Sequence, residues 1–246
     1  MYKKWFSLFC LLFLLSACIN DEPAIIRKET TPPNPNNDPE LIEEVNEEKV
    51  DEFIEFALEE EIVRINLNLV PILQQYLTAA NHREEMVEAM QLQNIHQEDE
   101  NSIYLLEFSC NTNRSKCSYL LLDQSKDNSG HLLTDLAELK NVQLSPDETK
   151  LFFHFNRLTL DSPLPVSKVV TIDLGTWERL PLNTTNDNRM VNNYKWPIIS
   201  AEWLDNETLS FYIPDVLHAD IEHLNDWLNT ANSQTTNIIL TTNKTN

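Results

Sequence analysis

Apolar and polar positions alternate with three different periods along this chain, and the changes between them divide it. Residues 5–15 form an almost unbroken apolar run, interrupted only by Ser7. Residues 18–39 carry no apolar period and contain Pro32, Pro33, Pro35 and Pro39, the composition of an extended, unfolded tether. In 40–61, Ile42, Val45, Phe53, Ile54 and Ala57 recur at helical spacing among acidic residues. This predicts a helical region over 40–97, in which Pro71 starts or kinks a helix. Asn81 and Glu84 fit a capping box ahead of Met86, Val87 and Met90.

The period turns to that of strands from residue 98. Segments 103–110 and 117–123 read as a hairpin joined by a turn-rich connection, with Cys110 and Cys117 at its mouth. Further strands are expected at 151–155, 169–174 and 177–180 and within 203–211, with a hairpin turn through Gly175. Asp215 is a good N-cap for a helix over 214–230, with Leu217, Ile221, Leu224 and Leu228 on one face. The tail 231–246 is polar, and its Ile238-Ile239-Leu240 run fits an edge strand. The expected fold class is therefore α+β, with N-terminal helices, an antiparallel meander over 98–213 and a C-terminal helix.

Composition narrows the function. The 246 residues carry a formal charge of −21. From 21 to 61 there are fifteen Asp or Glu against three Lys or Arg. Phosphate-backbone recognition needs the opposite sign, so nucleic-acid binding is excluded as a main role. Only two glycines are present, which rules out a phosphate-cradling loop or dinucleotide fingerprint.

The N-terminus reads as a leader. Lys3 and Lys4 precede the apolar run, which is too short to span a bilayer. The run closes on Leu15-Ser16-Ala17-Cys18. That tetrad resembles the lipobox of bacterial lipoproteins. The resemblance implies a signal peptide over 1–17, a diacylglyceryl group on Cys18, and anchorage to the extracytoplasmic face of a cell membrane. A Gram-positive surface is favoured by the low-glycine composition and Ile19, with a Gram-negative outer membrane as the alternative. Removing the leader and its two lysines leaves 229 residues near −23.

A second resemblance rests on Leu144-Ser145-Pro146-Asp147-Glu148 and Trp203-Leu204-Asp205-Asn206, each ahead of an apolar strand. Aligning Asp147 with Asp205 places Leu151 on Leu209 and Phe153 on Phe211, an offset of 58. Residues 103–213 thus resemble the repeats of TolB-type and WD-repeat-like propellers. Glu148 stands where those repeats have glycine. Two and a half units are too few for closure, so the expectation is an open, propeller-like meander.

Candidate chemistry is sparse. Cys110 and Cys117 suit a structural disulfide, ahead of free thiols or a metal pair, because no second ligand pair accompanies them. His218 and His223, five apart, are expected on different sides of a helix and not as a zinc pair. His154 lies in a strand without an evident catalytic neighbour, and the serines lack a nucleophile elbow. Trp177, Trp196, Trp203 and Trp227 suit buried packing better than a binding surface. No catalytic residue, metal ligand or cofactor is nominated. The favoured role is non-enzymatic binding of another envelope protein. The rivals are a hydrolase with a site built from distant residues, and a solute- or ion-binding lipoprotein.

Overall fold

The computed structural model describes residues 52–58, 61–98, 101–126, 129–183 and 191–242. Cys18, the leader, the tether and the acidic stretch up to residue 51 lie outside the described residues. So do residues 243–246 of the polar tail.

The protein is β-rich, which corrects the α+β expectation with N-terminal helices. Strands β1 (Phe53–Ala57) and β2 (Ile62–Asn66) form an antiparallel hairpin where a helix was expected. Leu58 N–H donates to the Glu61 carbonyl at 2.9 Å to close its turn. The physical reason is local. A five-residue apolar–acidic stretch fits both periods, and β-branched Ile54, Ile62, Val63 and Ile65 favour the strand.

Two short helices follow. Helix α1 (Pro71–Thr78) has Pro71 at its first turn, where the missing N–H costs nothing. Helix α2 (Arg83–Glu88) is capped by His82, without a side-chain hydrogen bond. Asn81 therefore does not form the expected capping box. The expected helix then gives way to β3 (Gln91–Glu98), bulged between Asn94 and His96.

Strands β3, β4 (Asn101–Phe108), β5 (Cys117–Asp123), β6 (Ser129–Leu144), β7 (Lys150–Arg157), β8 (Val166–Asp173) and β9 (Arg179–Leu180) form one antiparallel sheet in chain order. It is open, with no propeller closure. A second sheet pairs β10 (Ser200–Trp203), β11 (Thr208–Pro214) and β12 (Thr235–Thr241). Between β11 and β12 lies helix α3 (Ile221–Asn229). Its N-cap is Asp220, whose carboxylate accepts from His223 N–H at 2.9 Å. The expected cap, Asp215, instead extends the sheet by donating its N–H to the Gln234 carbonyl.

The sixteen-residue β6 is shared between two half-sheets. Its 129–137 part pairs with β5, and its 138–144 part pairs with β7. At the changeover Leu136 takes φ 47°, beside a register shift between Cys117 and Tyr119. A bulge of this kind bends the strand and re-aims its edge.

The central strands of each half-sheet are buried on both faces. Ile103, Leu105, Tyr119 and Leu121 share a core with Leu151, Phe153, Phe155 and Val170. The opposite face of β4 and β5, with Tyr104, Leu106, Leu120 and Leu122, packs on the β1–β2 hairpin and α1. The opposite face of β7 and β8 packs Phe152 and Val169 on Leu209, Phe211 and Leu240 of the second sheet. Double burial explains why β5 reads Leu-Leu-Leu and β7 Phe-Phe-His-Phe instead of alternating with polar residues. It also explains Gly130. A Cβ there would meet Val70 Cγ1 at 2.9 Å, under the 70–73 turn that covers the sheet.

Candidate functional site

The bend in β6 leaves an exposed strand edge, because β7 pairs only with the 138–144 part. Three cations from the facing half-sheet cap that edge. Arg157, at the end of β7, donates to the carbonyls of Asp135 (2.7 Å) and Leu136 (3.1 Å), and to the Asp135 carboxylate (3.2 Å). Lys168 of β8 donates to the Leu133 carbonyl at 3.4 Å. Arg179 of β9 donates to the carbonyls of Leu132 and Leu133. Unpaired edge carbonyls invite another strand, and charged caps are a way of blocking them.

Aromatic rings sit among these cations. The Arg157 guanidinium lies 3.9 Å from the Tyr194 ring centroid, and the Lys168 ammonium 5.8 Å from it. The Tyr194 hydroxyl meets Thr134 Oγ1 at 2.7 Å. Farther along, Lys126 lies over Trp177 at 5.0 Å, and His131 stacks on the same ring at 5.5 Å. Burial, with Lys126 and then Arg179 adding to it against Asp123, holds the His131 pKa below its usual value. Burial also lowers the Lys168 pKa, followed by Arg179, with Asp135 opposing and Arg157 adding. Leu132 and Leu136 of the 129–137 part of β6 are exposed, as is Leu158, which follows Arg157 in the chain.

Between Lys168 and Arg179, at the edge of β8, is a cavity of about 290 Å³. Its lining includes Thr171, Leu180, Leu182 and Asn192. It exists because β9 is two residues long and pairs only with Thr171 and Ile172.

The cysteines lie at the far end of the β4–β5 hairpin. Cys110 and Cys117 are joined as a disulfide with their Cα atoms 4.1 Å apart. Glu107 is beside them, and its carboxylate takes the Arg114 guanidinium. Glu107, Cys110 and Cys117 place ligand-type atoms within 4.8 Å of one another. Bonded sulfurs carry no charge, and Glu107 is already neutralised, so the oxidised trio lacks the thiolates a soft metal needs.

His154, Asn156 and Ser167 form a buried polar cluster between β7, β8 and the 194–198 segment. Ser167 Oγ donates to Asn156 Oδ1 at 2.8 Å and accepts from Ile198 N–H at 3.0 Å. With its one proton committed, it accepts from His154 Nε2 at 3.1 Å, which assigns the Nε2–H tautomer. A nucleophilic serine gives its proton to the histidine. Here the direction is reversed, and Ser167 is fully exposed to no solvent at 0%. Burial drives the His154 pKa down to about 4.

His218 and His223 come together, contrary to expectation, with ring centroids 5.5 Å apart. His218 precedes α3 instead of lying on it, so helical spacing does not apply. Asp220 accepts from His223 Nδ1 at 2.7 Å and raises its pKa. Trp196 and Trp203 pack against the core under the second sheet.

Compared with known proteins, the chain matches no family model, no curated protein and no solved structure. Among the described residues, no helix is long and apolar enough to cross a membrane.

Proposed function

We propose that this protein is held on the extracytoplasmic face of a bacterial cell membrane by a lipid on Cys18, and that its β domain is a binding module. Its partner is an acidic segment of another envelope protein, docked along the capped edge of β6. One observation carries the reading. In a chain of charge −21, Arg157, Lys168 and Arg179 converge on the β6 edge that carries exposed Leu132 and Leu136. A cationic rim next to apolar surface suits an acidic, partly apolar partner.

The test has two arms. Intact mass and membrane partition of wild type and Cys18→Ser report the anchor. A photo-crosslinker at Leu136, with and without Arg157→Glu, reports the docking edge. The expected result is lipid on wild type only, and a discrete adduct that charge reversal removes. Free protein in both forms overturns the anchor, and an adduct indifferent to charge reversal overturns the edge.

A further inference from the structure

We infer that the cavity between Lys168 and Arg179 is a binding site for a small organic phosphate, a monoester carried as a dianion. The inference goes beyond the docking edge, which it adjoins, and needs no protein partner.

The charge balance is the first ground. Arg157 is matched by the Asp135 carboxylate. Lys168 and Arg179 reach main-chain carbonyls instead, at Leu132 and Leu133. A carbonyl satisfies a donor without cancelling its charge. The two residues both belong to the cavity's lining, and their cations converge on one carbonyl, that of Leu133, so a single dianion would neutralise both. A guanidinium fork and a compact ammonium together suit the oxygens of a tetrahedral phosphate.

Size and lining are the second ground. At about 290 Å³, the cavity lies near the lower end of small-molecule sites, roughly 300–1,000 Å³. Thr171 and Asn192 add polar groups, and Val169, Leu180, Pro181 and Leu182 an apolar wall. Inorganic phosphate would leave that wall unused. An ester with a short apolar or ring-shaped group would cover it. Thr171 already donates its hydroxyl to the Leu180 carbonyl at 2.9 Å, which fixes the turn into the wall.

The sequence hid this site. Lys168 and Arg179 lie eleven residues apart in β8 and β9. They share a cavity because β9 folds back on β8 and stops after two pairs.

Calorimetry on the purified full-length protein, with phenyl phosphate, benzoate and sodium sulfate at matched ionic strength, tests the inference. Phenyl phosphate is expected to bind one to one. Benzoate, a monoanion with the same ring, and sulfate, a dianion without one, are each expected to bind at least about tenfold more weakly. Lys168→Gln removes the charge and shortens the stem by one bond, leaving a polar group in place of the ammonium that reaches the Leu133 carbonyl at 3.4 Å. It is expected to weaken phenyl phosphate about tenfold with an unchanged unliganded melting temperature. Asn192→Leu provides a second variant that leaves both cations in place, and it too should weaken binding. No saturable heat with phenyl phosphate, equal affinity for all three anions, or unchanged binding in both variants overturns the site. The crosslinking result at Leu136 is unaffected by any of these outcomes, so the two readings fail separately.

Discussion

Ser167 accepts a hydrogen bond from His154 at 3.1 Å, the reverse of the direction that would activate a serine. The pair is a structural tie. It anchors the 194–198 segment to β7 and β8 through the Ile198 N–H. Ser167→Ala would leave His154, Asn156 and the Ile198 N–H without their shared partner. The expected loss is about 1–3 kcal/mol in a urea titration, the cost of stranding buried polar groups.

The same pair sets a pH dependence. His154 is neutral in the folded protein, with a pKa of about 4 against 6.5 for an unperturbed histidine. Between those values the unfolded chain binds the proton and the folded one does not. Stability from this residue is therefore complete above pH 6.5 and is lost as pH falls towards 4. The full effect is roughly 3 kcal/mol. Urea titrations at pH 7.5 and 5 on wild type and His154→Gln check this. The variant should show a shallower loss between the two.

Gly130 and Val70 supply a steric prediction. Gly130→Ala places a methyl 2.9 Å from Val70 Cγ1 and 3.3 Å from Leu122 Cδ2. Overpacking of this kind costs about 1–3 kcal/mol. Val70→Ala in the same chain makes room for the methyl, so the double variant should be more stable than additivity allows. A double-mutant cycle by thermal melts measures the coupling.

Glu148 supplies the opposite case. It has φ 57° in the turn before β7, a left-handed conformation that favours glycine. Its N–H donates to the Ser145 carbonyl at 2.8 Å, and Asp147 is tied to Ser145 and Thr149. Glu148→Gly should stabilise the fold by about 0.5–1 kcal/mol, as relief of the strained backbone exceeds the extra freedom of the unfolded chain. An upward shift in melting temperature reports it.

The Cys110–Cys117 bond closes an eight-residue loop at the end of the β4–β5 hairpin. By loop entropy its reduction should lower stability by about 2–3 kcal/mol. Urea titrations with and without a thiol reductant measure the loss. The Cys110→Ser/Cys117→Ser variant should match the reduced wild type and ignore the reductant.

What the sequence discloses follows from burial. Strands β4, β5, β7 and β8 are apolar on both faces, so Leu120-Leu121-Leu122 and Phe152-Phe153 mark them directly. β1 and β2 are five residues each, too short for the period of 53–66 to separate strand from helix. β6 is mixed in character, because its capped edge is half-exposed and its bulge at Leu136 breaks any alternation. The end of the sheet shifts the C-terminal cap as well. Asp215 has the right chemistry for a cap, but its carboxylate accepts from Thr236 Oγ1 of β12 at 2.7 Å. The site was least visible. Arg157, Lys168 and Arg179 belong to three strands, and nothing in their local sequence marks the β6 edge they cap. The cysteines were conspicuous because both flank a single turn.

The strand order of the seven-stranded sheet carries a consequence for how the protein reaches its folded state. Each of its strands pairs with the stretch of chain made immediately before it. A polypeptide arriving N-terminus first, from a ribosome or through a narrow channel, can add these strands one at a time without waiting for distant sequence. Low sequence separation between partners also favours fast folding. In the second sheet, β12 reaches β11 only after the intervening α3 has been made. Until it arrives, one edge of β11 stays open. The final residues of the domain therefore act as a latch, and a chain truncated before Thr235 keeps that edge available for pairing with another molecule.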